Sequence, residues 1–228
     1  MAYAICLRYN IDMKPLRKIK IIWSPNLAYA IGLITTDGCL SGDGRHIDFT
    51  SKDMILIKTL LKCLGIRNKI GRKTSGYSGR KQGRVQFGDV IFYRFMLGIG
   101  LTPAKSKTMA DLDIPQKHFF DFLRGHFDGD GTFYSYFDKR WKNSFMFYTV
   151  FISASKAHID WLRGRLNTLL KIKGHITHDP KKGAYQLKYA KRESMEILRE
   201  MYYNLDVVCL KRKRHKVEKA LGVVGLEL

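Results

Sequence analysis

Two apolar segments of the chain, 27–38 and 122–131, show the periodicity of a helix, and each ends in Asp-Gly. Small residues stand four apart in both segments, at Ala28, Gly32 and Thr36 in the first and at Gly125 and Gly129 in the second. This spacing places them on one stripe of each helix, where they allow a second helix backbone to approach closely. The pattern predicts two motif helices that pack on each other through these stripes.

Each motif helix is expected to end at a carboxylate, Asp37 in the first half and Asp130 in the second. Ser24 and Pro25 precede the first helix and are typical of an N-cap and a first helical position. The glycine after each aspartate suits the left-handed conformation that often ends a helix. Packing through the small-residue stripes would therefore bring two carboxylates together.

Two carboxylates at helix C-termini repel each other and also meet the partial negative charge of the helix dipoles. At about 4 Å the repulsion is about 4 kcal/mol for an effective dielectric of about 20. A divalent cation reverses this balance, because carboxylate and carbonyl oxygens are good ligands for Mg2+. The sequence therefore predicts a Mg2+ site formed by the carboxylates of Asp37 and Asp130 and the carbonyl oxygens of Thr36 and Gly129.

Alternating apolar and polar positions predict antiparallel strands after each motif helix, for example in residues 45–51, 80–87 and 184–190. Helical spacing separates the strand pairs, so that each half has the order helix, two strands, helix, two strands, helix. An internal repeat of this kind predicts an α+β fold of tandem pseudo-two-fold αββαββα units. We expect two antiparallel saddle-shaped sheets, with helices packed on one side of them and the two motif helices at the central interface.

The order of these elements divides the chain into four parts. A basic N-terminal arm is expected over residues 1–23, a first subdomain over 24–110, a linker over 111–116 and a second subdomain over 117–228. Acidic residues and a proline mark the linker between the two repeats. The sequence leaves open whether the arm is ordered.

The net charge indicates what this fold binds. The chain has 228 residues, with 41 Lys and Arg against 20 Asp and Glu, which gives a formal net charge of +21. An excess this large points to a polyanionic partner, either nucleic acid or an anionic membrane. No apolar run reaches the roughly 18 residues of a spanning helix, so no membrane insertion is expected. The four cysteines form no Cys-x-x-Cys pair and are expected to be reduced thiols of an intracellular protein.

Polar side chains on one face of the predicted sheets are candidates for contact with duplex DNA. Arg and Gln on an exposed face can make paired hydrogen bonds with guanine and adenine edges in the major groove. The alternative is an ordinary solvated face of an antiparallel sheet, but the net charge and the basic turns favour DNA. The candidates in the first half are His46, Asp48, Thr50, Lys52, Arg72, Lys73, Arg80, Gln82, Arg84 and Gln86. Those in the second half are Lys139, Arg140, Lys142, Lys156, Lys171, Lys173, His175, Gln186 and Lys188.

The segments 30–38 and 123–131 resemble the two motifs of a monomeric LAGLIDADG homing endonuclease, and the likeness extends over about residues 24–219. The second copy is close to the family pattern, whereas the first has Thr35 where the family often has its earlier acid. That position is not a metal ligand in the family. The last aspartate of the motif, which is the metal ligand, is present in both copies.

This resemblance implies a site-specific double-strand DNA endonuclease that cuts across the minor groove of a long target and leaves short 3′ overhangs. It implies a monomer with no obligate protein partner, a DNA-associated location and a gene carried in an intron. The cofactor would be Mg2+, with Mn2+ or Ca2+ able to replace it in binding. The resemblance also implies one catalytic lysine per half, at Lys105 and Lys213. The alternative role for each lysine is a phosphate clamp or plain surface charge.

Parts of the sequence also suggest other classes of function. The segment 128–132 resembles the acidic motif of haloacid-dehalogenase-type phosphatases, but the residues before it make a poor buried strand and the first copy would be unexplained. An EF-hand is excluded because Phe133 stands where its glycine is needed. His126, His175 and His178 do not make a convincing zinc site. A binding module on the same fold, either an RNA maturase or a DNA-binding regulator without cleavage, remains open.

Overall fold

The computed structural model describes residues 18–74, 79, 81–141, 144–181 and 183–228. The elements of the first half are α1 (Pro25–Asp37), β1 (Gly38–Leu40), β2 (His46–Ser51), α2 (Met54–Leu64), β3 (Gly71–Thr74), β4 (Lys81–Gly88) and α3 (Val90–Gly98). After a 3-10 turn at Gln116–His118, those of the second half are α4 (Phe119–Gly129), β5 (Thr132–Phe137), β6 (Phe145–Ser153), α5 (Lys156–Leu170), β7 (His175–Asp179), β8 (Ala184–Ala190), α6 (Lys191–Met201) and α7 (Lys211–Gly222).

Each half contains one four-stranded antiparallel sheet, and the two sheets have the same strand order. The first sheet runs β1-β2-β4-β3 and the second runs β5-β6-β8-β7. In both, the strand that follows the motif helix lies at an edge, and the second and fourth strands of the half pair with each other. This repeated connectivity confirms the predicted α+β fold of two tandem units.

Polar caps begin the helices of the first half. Ser24 Oγ accepts a hydrogen bond from Leu27 N, and Pro25 is the first residue of α1, as the sequence predicts. Asp53 caps α2 and Asp89 caps α3 in the same way, through backbone N–H groups of the first turn. Each cap satisfies amide groups that have no partner within the helix, so these polar residues fix where the helices begin.

The motif helices α1 and α4 form the central contact between the halves. A Cβ atom added to Gly125 would lie 2.1 Å from Tyr29 O, and one added to Gly32 would lie 2.2 Å from Phe122 O. The two backbones are therefore in direct contact at both glycines, and both helices are buried along most of their length. The predicted packing through small-residue stripes is confirmed.

The glycines after the two aspartates are required for a reason other than the predicted one. Gly38 has φ −91° and extended backbone, and Gly131 is not among the described residues with positive φ. A Cβ atom would lie 2.5 Å from Ile34 O at Gly38 and 2.6 Å from Phe127 O at Gly131. The left-handed prediction is wrong, and close approach to the preceding helical turn selects glycine at both positions.

The chain on either side of the repeats packs onto them. Lys18 and Ile19 donate their backbone N–H groups to the carboxylate of Asp89, so the end of the predicted arm is held at the start of α3. Residues 1–17 of that arm lie outside the described residues. No helix within the described ranges is long and apolar enough to cross a bilayer.

Contacts between the halves hold the N-termini of the outer helices α2 and α5. Ser155, the N-cap of α5, donates its hydroxyl to the carbonyl oxygen of Met109 in the first half. Arg212, at the start of α7, donates from Nε to the carboxylate of Asp53, the N-cap of α2, at 2.9 Å. Each outer helix is therefore anchored at its first turn by a segment of the opposite half.

Candidate metal and nucleic-acid site

The packing of α1 on α4 brings the two predicted acids into one electrostatic environment. A Cβ atom added to Gly129 would lie 1.9 Å from Thr36 Oγ1, so the helices touch at the residues just before Asp37 and Asp130. Burial and the nearby charge of Asp130 raise the pKa of Asp37 to about 7. Burial also raises the pKa of Asp130. A raised carboxyl pKa is the signature of desolvation and of a neighbouring like charge.

Two lysines lie at the same helix ends, one from each half. Lys105, in a turn after α3, is 5% exposed, and its Nζ donates to Thr35 O at 2.7 Å and to Thr36 O at 3.4 Å. Lys213, in α7, donates from Nζ to Phe127 O at 2.5 Å and to Gly131 O at 2.6 Å. Each lysine therefore satisfies carbonyl groups at the end of the motif helix of its own half, where a cation is favoured by the helix dipole.

Burial weakens the protonation of both lysines, and the acids partly restore it. The pKa of Lys213 is lowered to about 8, because burial outweighs the favourable charges of Asp128, Asp130 and Asp37. The pKa of Lys105 is also lowered by burial, against the same opposing effect of Asp130 and Asp37. In return, both lysines lower the pKa of Asp37. The four groups thus form one coupled charge cluster around the ends of the motif helices.

The oxygens at this cluster suit a divalent cation. Among the described residues, neither Asp37 nor Asp130 accepts a side-chain hydrogen bond or forms an ion pair, and both side chains are at least partly accessible. Within the described ranges, no three or more His, Cys, Asp or Glu side chains are placed so that they could hold a metal ion together, so a cation here would rest on two carboxylates. The carbonyl oxygens of Thr36 and Gly129 are the additional candidates. Thr36 O also accepts the long hydrogen bond from Lys105, and a carbonyl oxygen has a second lone pair.

A buried acid that the sequence analysis did not assign holds the Lys213 segment in place. Asp128 accepts hydrogen bonds from Tyr29 Oη at 2.7 Å and from Leu210 N at 2.6 Å. It thereby links α1 to α4 and to the residue immediately before α7. The only sequence signal for this role is the difference between the copies, since Thr35 in the first copy instead donates to Ile31 O within its own helix.

The first sheet presents a polar outer face, as predicted. On β2 and β4, Asp48 accepts a hydrogen bond from Arg84 Nε at 2.5 Å and from Gln86 Nε2 at 3.3 Å. The strand register places the other candidates of this face nearby, namely His46, Thr50, Lys73 and Gln82. Arg72 pairs with Gly83 and belongs to the opposite face. Arg80 lies outside the described residues.

The second sheet has a different outer face, which the sequence analysis did not foresee. His175 pairs with Lys188 and Gln186 lies beside them on β8, so these three candidates share a face. The same face of β5 and β6 carries tyrosines at positions 134, 136 and 148. An alternating Tyr-x-Tyr stretch in a predicted strand was the available signal for this cluster.

The remaining candidates lie in turns, loops and helix ends and are exposed. Lys156 begins α5 and pairs with Asp160 at 2.5 Å. The others lie before α2, in the β5–β6 turn, or between α5 and β7, and are Lys52, Lys139, Arg140, Lys171 and Lys173. Lys142 lies outside the described residues. The structure therefore groups only part of the predicted set on the two sheet faces.

Comparison with solved structures identifies the fold. The homing endonuclease I-DmoI, in a complex with DNA and Mn, matches 79% of this chain and 97% of its own with a TM-score of 0.52 and 18% identity. The chain has the LAGLIDADG fold. The meganuclease I-SmaMI, bound to uncleavable DNA, shares this fold over 89% of this chain and 93% of its own, with a TM-score of 0.60 and 13% identity.

The same fold is found in a domain of a second kind of protein, DUF199/WhiA. The N-terminal LAGLIDADG domain of DUF199/WhiA matches 90% of this chain and 99% of its own, with a TM-score of 0.53 and 14% identity. No protein-family model and no curated protein matches the sequence. Structural similarity at identities this low shows the LAGLIDADG fold alone, so activity has to be argued from the site.

Proposed function

We propose that this protein is a site-specific duplex DNA endonuclease whose hydrolytic centre is formed by Asp37 and Asp130. The observation that carries the proposal is the pairing of two unpartnered carboxylates at the ends of packed helices, with a lysine beside each. Likeness to LAGLIDADG endonucleases solved with DNA supports it. The net charge of +21 supports a polyanionic substrate.

The proposed site suits a divalent cation, which we take to be Mg2+. Asp37 and Asp130 would hold it, with the carbonyl oxygens of Thr36 and Gly129 as further ligands. A bound cation of this kind supplies an activated water and neutralises charge on the phosphate. The fit depends on the absence of a protein partner for either carboxylate within the described chain. Mn2+ or Ca2+ would take the same oxygen ligands in binding.

The two lysines provide positive charge where a phosphodiester would gain negative charge. Lys213, with a pKa of about 8, carries its proton at neutral pH and exchanges it more readily than an ordinary lysine. Hydrogen bonds to two carbonyl groups hold its Nζ in one place, and Lys105 is held in the same way. Fixed cations of this kind stabilise a transition state without having to reorganise.

The finer features of the proposal follow the family resemblance. We propose subdomains over 24–110 and 117–228 joined by the linker 111–116, acting as a monomer with no obligate protein partner. Each sheet would bind one half of a long target in its major groove. Cutting would take place across the minor groove between them and leave short 3′ overhangs. The protein would act at DNA inside the cell, and its gene would lie in an intron.

The experiment that tests the function is selection of cleaved duplexes from a randomised library with Mg2+. The recovered target is then tested with Asp37→Asn, Asp130→Asn and the control Asp113→Asn, an exposed acid in the linker. We expect each site variant to cut about 10²- to 10³-fold more slowly, as when a charge-stabilising group is removed, and to bind in Ca2+ as before. The control should cut normally.

Two outcomes would count against the proposal in different ways. Normal cutting by Asp37→Asn or Asp130→Asn would refute the assignment of the site. Specific duplex binding with no cutting by the unmodified protein would instead assign the chain to the binding regulators.

A further inference from the structure

Three tyrosines form an exposed cluster on the outer face of the second sheet. Tyr134 on β5 pairs across the strands with Tyr148 on β6, and Tyr136 lies two residues along β5 on the same face. Their ring centroids are 5.2 to 6.4 Å apart and their planes are within 15° of parallel. Tyr134 and Tyr136 are exposed. A stacked aromatic cluster left open to solvent marks a surface that binds something.

Apolar side chains continue this cluster, and basic side chains lie beside it. Met146 pairs with Tyr136, and Ile152 follows on the same face of β6. Lys188 on the neighbouring strand β8 faces His175 on the edge strand β7, and Arg140, which is paired with Asp138, lies in the exposed β5–β6 turn. An apolar centre with basic side chains beside it complements a partner that is negatively charged outside and has apolar groups within. Duplex DNA has this arrangement, with phosphates flanking thymine methyl groups in the major groove.

The packing of the rings favours a duplex over a single strand as the occupant. Single-stranded nucleic acid binds by stacking its bases on open aromatic faces. Here each ring is packed nearly parallel to its neighbours, so part of each face is already covered. The hydroxyl groups of Tyr136 and Tyr148 hydrogen-bond each other, so mainly ring edges remain for the partner, and these suit the methyl groups on base edges.

We propose that the second sheet recognises its half of the target by apolar contact between this tyrosine cluster and thymine methyl groups. The first sheet, with Asp48, Arg84 and Gln86 joined by hydrogen bonds, would recognise its half through base-edge hydrogen bonds. The inference rests on the proposed duplex endonuclease function and adds a substrate class: a target whose second half is rich in A·T pairs.

The position of the cluster locates the expected A·T pairs. Tyr134 and Tyr136 lie four and six residues beyond Asp130 on the strand that leaves the proposed site. At about 3.4 Å per strand residue, this is about 14 to 20 Å along the sheet. DNA rises about 3.4 Å per base pair, so with β5 laid along the duplex axis the contacts would fall about four to six base pairs from the centre of the cut.

Replacing thymine by deoxyuridine tests the proposal directly, because it removes only the C5 methyl group. In duplexes recovered by the selection above, uracil in the second half should weaken binding about fourfold per contacted methyl, the value of one buried methylene-sized group. Uracil in the first half should change binding by less than about twofold. Tyr134→Thr and Tyr136→Thr keep a strand-forming residue and should abolish the difference between thymine and uracil.

A matched variant and four further outcomes complete the test. Gln86→Thr, at an exposed strand position of the first sheet, should leave the uracil effect intact. Equal binding of thymine and uracil duplexes by the unmodified protein would overturn the inference. So would tyrosine variants that lose single-stranded RNA binding while duplex binding stays unchanged. If no duplex is bound or cut, the proposed function fails, whereas cutting of targets with no A·T preference in the second half removes only this inference.

Discussion

The two halves of the chain match at the ends of their motif helices and differ on the outer faces of their sheets. Lys105 and Lys213 both donate to carbonyl groups at the end of the motif helix of their own half. By contrast, the first sheet exposes an acid, an arginine and a glutamine joined by hydrogen bonds, and the second exposes three stacked tyrosines. A centre shared by both halves keeps its pseudo-symmetry, while surfaces that meet different parts of a partner are free to diverge.

The largest expected effect tests the matched part. We expect Lys105→Met and Lys213→Met each to slow cleavage about 10²- to 10³-fold, because each removes a fixed cation from the centre. If each lysine serves one strand, either variant converts a supercoiled plasmid carrying the target to the nicked form. Lys107→Met and Lys216→Met, exposed neighbours in the same two segments, are the controls. Normal double-strand cutting by Lys105→Met or by Lys213→Met would contradict the prediction that the two lysines have equivalent roles.

Enlarging the contact glycine of α1 or of α4 should destabilise the protein to the same extent. Gly32→Ala and Gly125→Ala should each lower the free energy of unfolding by about 3 kcal/mol, because the added methyl overlaps a backbone carbonyl of the other helix. Gly164→Ala in α5 meets nothing within 4 Å and should raise stability by about 0.5–1 kcal/mol through helix propensity. Urea denaturation of the three variants gives the comparison. If Gly125→Ala were at least as stable to urea as Gly164→Ala, the close packing of the two helices would be contradicted.

Substitution of Arg84 tests the outer face of the first sheet, where the two halves differ. We expect Arg84→Ala to cost about 1–3 kcal/mol of binding and to relax the preference at one base pair in the first half of the target. Binding to a panel of single-base variants measures both. Arg94→Ala, an exposed arginine on α3 and away from the outer sheet face, should change neither the affinity nor the preference at any position. A uniform loss across the panel for Arg84→Ala would mean that this side chain contacts only phosphate.

The last prediction concerns pH and the coupled acids. The pKa of Asp37 is about 7 in the metal-free protein and 3.8 for an ordinary aspartate. Between these values the folded chain binds more protons than the unfolded chain, so the free energy of unfolding falls as the pH rises through this window. Below about pH 7 protons also compete with Mg2+, which weakens its binding by up to tenfold per pH unit.

Urea denaturation of the metal-free protein at pH 5 and pH 7.5 measures this pH dependence of the free energy of unfolding. Asp37→Asn should gain stability over the unmodified protein, and the gain should be larger at pH 7.5. A gain that is the same at both pH values would mean that Asp37 is not desolvated beside Asp130.

Local patterns were sufficient to predict most of the repeated core. The cap at Ser24, the small-residue stripes and the alternation that buries Val85 and Phe87 are all properties of neighbouring residues. The three-residue strand β1 is too short to show alternation. Helix α7 was not predicted because it opens with the basic run 211–216, and its buried residues follow only at its end.

The candidate site was harder to predict, because its energetics depend on contacts between distant segments. Asp37 and Asp130 could be paired from a repeat, but the carbonyl partners of Lys105 and Lys213 could not. Asp128 acts through Leu210, 82 residues away. The tyrosine cluster requires the register of β5 against β6, which no single strand specifies.

The bracing of each outer helix by the opposite half makes the two units interdependent. Arg212 stands next to Lys213 and binds the cap of α2, while Met109 follows Lys105 by four residues and accepts from the cap of α5. A single half expressed alone would lose the contact by which the opposite half anchors its outer helix. A chimaera that replaces one half by a foreign one must therefore keep both contacts, Asp53 with Arg212 and Ser155 with the carbonyl of Met109.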